Sequence, residues 1–104
     1  MKHFLIKYER TVTPIEAWHQ QITEFIAALD TDPELKGRVS YRALKHANGA
    51  DYYHLASTAD PEAGQLLQGR DFFKRYTQLT SDAAGQPVHA IPLEVIGETS
   101  FKAH

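Results

Sequence analysis

A short apolar-rich run over residues 3–9, which ends before turn-like residues, predicts a first β-strand. Phe4, Ile6 and Tyr8 share one face of that strand, because successive side chains point to opposite faces. The apolar spacing then changes to three and four residues, which is typical of one face of a helix. The residues on this spacing are Ile15, Trp18, Ile22, Phe25, Ile26 and Leu29.

Local signals predict where this helix starts and stops. Thr13 and Pro14, with Glu16 three residues after the threonine, are typical of an N-cap, a first-turn proline and a capping box. The helix is expected to stop at Asp32, because a residue that precedes a proline avoids the helical conformation.

Two further strands, over residues 38–46 and 51–58, are predicted to form a hairpin around Asn48-Gly49, a pair typical of turns with two positive φ angles. With these two residues as the loop, Ala43 lies opposite His54 and Tyr41 opposite Ala56. Neither face of the hairpin is clearly polar. One face carries Val39, Tyr41, Ala43, Tyr52, His54 and Ala56, and the other carries Arg42, Leu44, Tyr53 and Leu55.

A second helical region is expected to begin at Asp60, as N-cap, and Pro61. Ala63, Leu66 and Leu67 line one side of its first part, and Phe72, Phe73, Tyr76 and Leu79 form a second apolar patch. Gly69 weakens the helix between the two parts. The pattern therefore predicts two short helices or one kinked helix.

Residues 81–86 are predicted to form a loop, and residues 88–100 a last strand. Pro92 interrupts that strand and favours an edge position or a bulge, since proline cannot donate to a ladder. The resulting order, β-α-β-β-α-β, predicts an α+β domain of the ferredoxin-like type, with helices on one face of a four-stranded antiparallel sheet.

All four predicted strands carry apolar residues on both sides, so the face without helices also needs a cover. A second copy of the same chain is the simplest cover, which predicts a homodimer through the open sheet face. The alternative is a monomer that exposes apolar side chains, which soluble proteins usually avoid.

The chain has 104 residues and a mass of 11.7 kDa, enough for a single domain over residues 1–104. Eleven basic residues against thirteen acidic ones give a formal charge of -2, which argues against nucleic-acid binding. The absence of cysteine excludes disulfides, thiolate catalysis and iron–sulfur clusters. Neither a membrane span nor a signal peptide is predicted, so we expect a cytoplasmic protein.

Three segments carry a resemblance to a known family: Asp32-Pro33-Glu34-Leu35-Lys36-Gly37 ahead of Tyr41-Arg42, Tyr52-Tyr53-His54-Leu55-Ala56, and Phe72-Phe73-Lys74-Arg75-Tyr76. Over about residues 2–100 the chain resembles the dimeric α+β barrel superfamily, in its antibiotic biosynthesis monooxygenase-like branch. The resemblance implies two sheets joined in a barrel and a cavity between each subunit's sheet and helices. It also implies, for some members, oxidation of polyphenols by dioxygen without a cofactor.

Other members of that superfamily degrade haem, and the sequence departs from their pattern. They use an Asn in the first strand and a Trp and a His around the second helix. Here the first strand has no Asn, the one Trp is Trp18 in the first helix, and residues 66–73 contain no His. Haem degradation is therefore not expected.

The six histidines show no metal-ligand spacing, so no metal site is predicted. His54 is the candidate catalytic residue, because a histidine in a partly apolar cavity can titrate near neutrality and take a phenolic proton. A core histidine that is hydrogen-bonded to a tyrosine is the alternative interpretation.

The aromatic residues predict a pocket for a flat ligand, and Arg70 is a candidate for binding its oxygen. The candidate substrate-binding residues are Trp18, Tyr41, Tyr52, Arg70, Phe73 and Tyr76. The leading hypothesis is a homodimeric, cofactor-independent monooxygenase that acts on hydroquinone- or polyphenol-like substrates. A non-catalytic module that binds hydrophobic ligands and a pure dimerisation domain are the alternatives.

Overall fold

Four strands and three helices follow one another in the computed structural model, which describes residues 1–100. The strands are β1 (Lys2–Glu9), β2 (Val39–Lys45), β3 (Asp51–Thr58) and β4 (Ala90–Leu93). The helices are α1 (Ile15–Thr31), α2 (Pro61–Gly69) and α3 (Asp71–Ala84). The predicted α+β, ferredoxin-like class is confirmed, with the second helical region divided into two helices.

The strands form one antiparallel sheet in the order β2-β3-β1-β4. β4 is an edge strand, as Pro92 predicts, but it covers only residues 90–93 and not the predicted 88–100. The central strands β1 and β3 pair along their whole lengths, with Ile6 opposite His54 and Tyr8 opposite Tyr52. The middle of the sheet therefore holds His54 and both tyrosines on one face.

The register of the β2-β3 hairpin is the predicted one, with Ala43 opposite His54, but its turn is different. Neither Asn48 nor Gly49 has a positive φ, so the expected two-residue turn is wrong. The backbone N–H of His46 donates to the carbonyl of Asp51 at 2.8 Å and closes a loop over residues 47–50. Two extra residues in the loop leave the pairing of the strands unchanged.

The predicted N-terminal cap of α1 is wrong. Pro14 occupies the N-cap position in an extended conformation, and no side chain caps the helix. Thr13 instead offers its carbonyl to the guanidinium of Arg10, at 2.9 Å. The predicted end is confirmed, because Asp32 leaves the helical conformation immediately before Pro33.

The second helical region starts as predicted, since the side chain of Asp60 accepts a hydrogen bond from the backbone N–H of Ala63 at 2.8 Å. It breaks at Arg70, which is extended. The loop predicted for residues 81–86 is wrong, because α3 continues to Ala84. Ala83 and Ala84 are buried there, and Gly85 ends the helix with a φ of 74° that favours glycine.

The two faces of the sheet have different surroundings. The face under the helices holds the buried residues Tyr8, Tyr52, His54 and Thr58. The opposite face, here called the open face, is uncovered in the single chain and is nevertheless apolar. Its large exposed side chains are Leu44, Leu55, Ile91 and Leu93, each 37–47% exposed.

Candidate functional site

A chain of hydrogen bonds between aromatic side chains crosses the core under the helices. The indole N–H of Trp18 donates to the hydroxyl of Tyr8 at 2.7 Å. That hydroxyl lies 3.0 Å from Nε2 of His54. On the other side of the ring, Nδ1 of His54 lies 2.5 Å from the hydroxyl of Tyr41 and 3.3 Å from that of Tyr76. The two hydroxyls are 3.0 Å apart, so five side chains form one connected network.

Each of the five side chains comes from a different element, and the strand register explains why they meet. β1, β2 and β3 present Tyr8, Tyr41 and His54 on the face under the helices. α1 and α3 supply Trp18 and Tyr76 from their buried faces. The network therefore forms only after both helices have packed on the sheet.

Ring packing holds these side chains in place. The ring of Tyr76 stacks on Phe25, with a centroid distance of 3.8 Å, and on Trp18, with a centroid distance of 5.7 Å. Tyr8 stacks on Tyr52 at 5.1 Å. Aromatic pairs at such distances add to the stabilisation from burial alone, so the hydroxyls have little freedom to move away from His54.

Burial sets the protonation state of the network. Desolvation disfavours the charged imidazolium and lowers the pKa of His54 to about 4. Desolvation raises the pKa values of Tyr8, Tyr41 and Tyr76 well above their usual range, because it disfavours the phenolate. All four groups are therefore neutral at pH 7, and the expectation that His54 titrates near neutrality is wrong.

A cavity of about 330 Å³ lies beside the network, between the sheet and helices α2 and α3. Three of the predicted substrate-binding residues, Tyr41, Phe73 and Tyr76, lie in its lining. The rest of its lining is mostly apolar, with threonine and glutamine side chains among the polar groups; Lys2 is the charged residue of the lining.

Three of the predicted site residues lie behind this lining and not in it. Trp18 and His54 are fully buried, and Tyr52 is 2% exposed. Nδ1 of His54 contacts the hydroxyls of Tyr41 and Tyr76, two residues that line the cavity. Its position matches the alternative interpretation of a core histidine bonded to tyrosines.

Arg70 also lies outside the cavity lining. Its guanidinium contacts the carboxylate of Asp32 at 2.9 Å and that of Glu34 at 2.7 Å. The hydrogen bonds from Arg70 lower the pKa of Asp32 below its usual range. Arg70 thus joins the break between α2 and α3 to the segment that follows α1.

Sequence reasoning did not select Tyr8 or Phe25, although both position the site. Tyr8 carries the hydrogen bond to Nε2 of His54, and Phe25 lines the cavity and stacks on Tyr76. Both residues stand at regular core positions of β1 and α1, and the sequence gives no signal that separates them from other core aromatics.

Within residues 1–100, no group of three or more His, Asp or Glu side chains is arranged to hold a metal ion. Over the same residues, none of the helices combines the length and the apolar character needed to span a bilayer.

No protein-family model and no curated protein matches this sequence. Solved structures do match its backbone. An antibiotic biosynthesis monooxygenase superposes with a TM-score of 0.73 at 11% identity, over 93% of this chain and 100% of its own. The protein Rv0793 from Mycobacterium tuberculosis gives 0.73 at 14% identity, over 95% of this chain and 98% of its own.

A third structure, a dimeric ferredoxin-like protein of unknown function from Jannaschia sp. CCS1, gives a TM-score of 0.61 at 18% identity. It covers 91% of this chain and 100% of its own. At these identities the likeness establishes the fold, and the predicted resemblance is confirmed at that level. The chain has a ferredoxin-like α+β fold, which it shares with these three structures.

Proposed function

We propose that this chain acts as a homodimer that binds a small, flat aromatic molecule in the 330 Å³ cavity and oxidises it with dioxygen without a cofactor. The observation that carries the proposal is the cavity itself, which has a mostly apolar lining that includes Tyr41 and Tyr76, two residues whose hydroxyls lie 3.0 Å apart. Ligand sites commonly combine an apolar wall with a few polar groups in this way. A structural neighbour described as an antibiotic biosynthesis monooxygenase is consistent with the chemistry.

The volume of the cavity suits a ligand of two or three fused rings. An enclosed apolar space of about 150 Å³ is enough to bind one benzene molecule. This cavity has roughly twice that volume, and its aromatic lining residues Phe25, Tyr41, Phe73 and Tyr76 offer ring faces and edges for stacking.

An anthrone-type substrate illustrates how such a reaction balances. Its ring CH₂ group becomes a carbonyl, one oxygen atom of O₂ enters that carbonyl, and the other leaves as water with the two hydrogens. The substrate itself supplies the electrons, so no further reductant is consumed. In this proposal the substrate loses a proton to solvent, and the resulting oxyanion accepts a hydrogen bond from the Tyr41–Tyr76 pair.

His54 is then a positioning residue and not the base. A group whose pKa is about 4 holds a phenolic proton poorly at pH 7, and His54 lies behind the two tyrosines. The neutral state of the whole network also favours the second candidate, a module that binds the same class of ligand and does not transform it.

Two glycines of α2 offer a matched test of the cavity. Gly64 lines it, and a Cβ added there meets only the Thr58 hydroxyl, at 3.8 Å. Gly69 does not line the cavity, and a Cβ added there meets nothing within 4 Å. We expect Gly64→Leu to fill the cavity and abolish ligand binding, and Gly69→Leu to retain it.

Binding is measured by calorimetry with 2-naphthol and anthrone, and oxidation by dioxygen uptake with the same compounds and hydroquinones. The oxidase is supported if dioxygen uptake exceeds the uncatalysed rate, if Gly64→Leu abolishes this uptake and if Gly69→Leu retains it. Binding without uptake supports the binding module. An absence of binding in the unmodified protein, or equal effects of both substitutions, contradicts the proposal.

The open face of the sheet supports the proposed homodimer. Leu55 lies on the central strand β3, opposite Leu5 of β1, and is 37% exposed in the single chain. The Jannaschia neighbour is described as dimeric. A sheet-to-sheet contact with a second copy would bury these apolar side chains, as homodimer interfaces commonly do.

We expect Leu55→Glu to convert the dimer to a monomer, because the two-fold axis places a carboxylate from each copy in the same apolar interface. Val12→Glu is the matched control, since Val12 is 66% exposed and lies outside the sheet. Sedimentation velocity measures the mass of both variants. A monomeric unmodified protein, or a Leu55→Glu protein that remains dimeric, contradicts the dimer. A cytoplasmic location stays a prediction of the sequence.

A further inference from the structure

The direction of the hydrogen bonds in the network follows from which groups can donate and which can accept. Tyr8 is 5% exposed. Within residues 1–100, its hydroxyl is in hydrogen-bond range of two side-chain groups, the indole of Trp18 and Nε2 of His54. An indole N–H donates and cannot accept. The hydroxyl hydrogen of Tyr8 therefore has one acceptor, Nε2 of His54.

This assignment fixes the tautomer of His54. In a neutral imidazole one nitrogen accepts and the other carries the hydrogen. If Nε2 accepts from Tyr8, Nδ1 carries the hydrogen and donates toward Tyr41 or Tyr76. The other tautomer leaves the hydroxyl hydrogen of Tyr8 buried and unpaired, which is unfavourable.

The hydrogens around Nδ1 then outnumber their acceptors. Nδ1 of His54 and the hydroxyls of Tyr41 and Tyr76 bring three donor hydrogens into one triangle of contacts. Nδ1 lies 2.5 Å from the Tyr41 hydroxyl and 3.3 Å from the Tyr76 hydroxyl, and the two hydroxyls are 3.0 Å apart. Only the two hydroxyl oxygens can accept, since Nδ1 is a donor. If Nδ1 donates to Tyr41 and Tyr41 donates to Tyr76, the hydroxyl hydrogen of Tyr76 has no acceptor within this triangle. If Nδ1 donates to Tyr76 and Tyr76 donates to Tyr41, the hydroxyl hydrogen of Tyr41 has no acceptor within the triangle. Both tyrosines line the cavity.

We propose that the cavity recognises its ligand by an oxygen that only accepts hydrogen bonds, a ketone- or quinone-type carbonyl on a flat ring system, and that the spare hydroxyl hydrogen of the Tyr41–Tyr76 pair binds it. The inference rests on the proposed ligand-binding function and names the chemistry of its ligand. Gln65 and Gln68, which also line the cavity, both donate and accept, so they do not select between acceptor and donor ligands. The tyrosine pair does select, because a donor-only ligand leaves the spare hydrogen without a partner.

The first test needs no ligand and examines the network alone. Long-range ¹H–¹⁵N NMR at about pH 7 reports which imidazole nitrogen carries the hydrogen, and the signal missing from a His54→Gln sample identifies His54. We expect a neutral ring with the hydrogen on Nδ1. A hydrogen on Nε2 overturns the inference, whatever the protein binds.

The second test compares three two-ring probes of similar shape: 1-indanone, which only accepts, indole, which donates through its N–H, and indane, which does neither. We expect 1-indanone to bind at least about fivefold more tightly than indole or indane. Equal or tighter binding of indole overturns the inference. If NMR shows the Nδ1 hydrogen and no probe binds, the proposed ligand-binding function fails while the network assignment stands.

Substitutions of the tyrosines show whether the preference comes from their hydroxyls. Tyr76→Phe alone is expected to keep part of the preference, because it frees the hydroxyl hydrogen of Tyr41 to face a ligand. Tyr41→Phe combined with Tyr76→Phe is expected to abolish the preference and to retain indane binding, which shows that the cavity is intact. A double variant that binds indane and still prefers 1-indanone overturns the assignment.

Discussion

Replacement of Trp18 by alanine is expected to lower the free energy of unfolding by about 3–5 kcal/mol, the usual cost of removing a large buried aromatic side chain. Trp18 is fully buried, with ring centroids 5.7 Å from Tyr76 and 6.2 Å from Tyr8. The substitution removes both ring contacts, leaves a void and leaves the Tyr8 hydroxyl without its donor. A domain of this size is typically stable by about 5–15 kcal/mol, so the loss is a large share of the total.

Urea unfolding at one fixed protein concentration measures this effect, and two further variants identify its cause. Trp18→Phe keeps most of the ring packing and removes the indole N–H, so it is expected to cost less than Trp18→Ala. Ile15→Ala is the surface control: Ile15 belongs to the same helix but is 42% exposed, so a change within about 0.5–1 kcal/mol is expected. Equal losses for Trp18→Ala and Ile15→Ala contradict the assigned packing.

We expect His54 to lower the free energy of unfolding of the unmodified protein by about 3 kcal/mol as the pH falls from 6.5 toward 4. This figure is the contribution of His54 and does not include the other titratable groups. The pKa of His54 is about 4 in the folded protein and 6.5 in its ordinary state. Between these values the unfolded chain binds a proton at this position and the folded chain does not. Protons therefore favour unfolding, and the stabilisation is complete above pH 6.5 and lost as the pH falls through that window.

The contribution of His54 is isolated by comparison with His54→Gln. Glutamine does not titrate, so the difference in unfolding free energy between the two proteins removes the contributions of the other histidines and the carboxylates. Chemical unfolding of both proteins at about pH 7.5 and about pH 4.5 gives that difference. Parallel pH profiles for the two proteins contradict the buried, neutral state of His54.

Much of the fold follows from local patterns. Alternation along β1 and β3 separates the face with Phe4, Ile6 and Tyr8 from the opposite one, because a strand has a side-chain period of two. Asp60 and Pro61 start α2 through a hydrogen bond that spans three residues. The incorrect predictions lie where packing between residues that are distant in sequence decides the local structure. Residues 81–84 resemble a loop but remain helical as Ala83 and Ala84 enter the core.

The candidate site was likewise predictable from the sequence only in part. The sequence alone determined the ferredoxin-like order, the hairpin register and the apolar open face. It also selected Tyr41, Phe73 and Tyr76 as candidate pocket residues, and the structure places all three in the lining of one cavity. Only the tertiary structure decided that Arg70 pairs with Asp32 outside that pocket, because the two are far apart in sequence.

Tertiary structure also decided the state of His54. Its pKa depends on how completely the packed helices and sheet exclude water, and its tautomer depends on the Tyr8 hydroxyl, which lies 46 residues away in sequence. A residue pattern records which groups are present and which face they occupy. It does not record the burial and the hydrogen-bond partners that set their protonation, because those arise only when distant elements pack together.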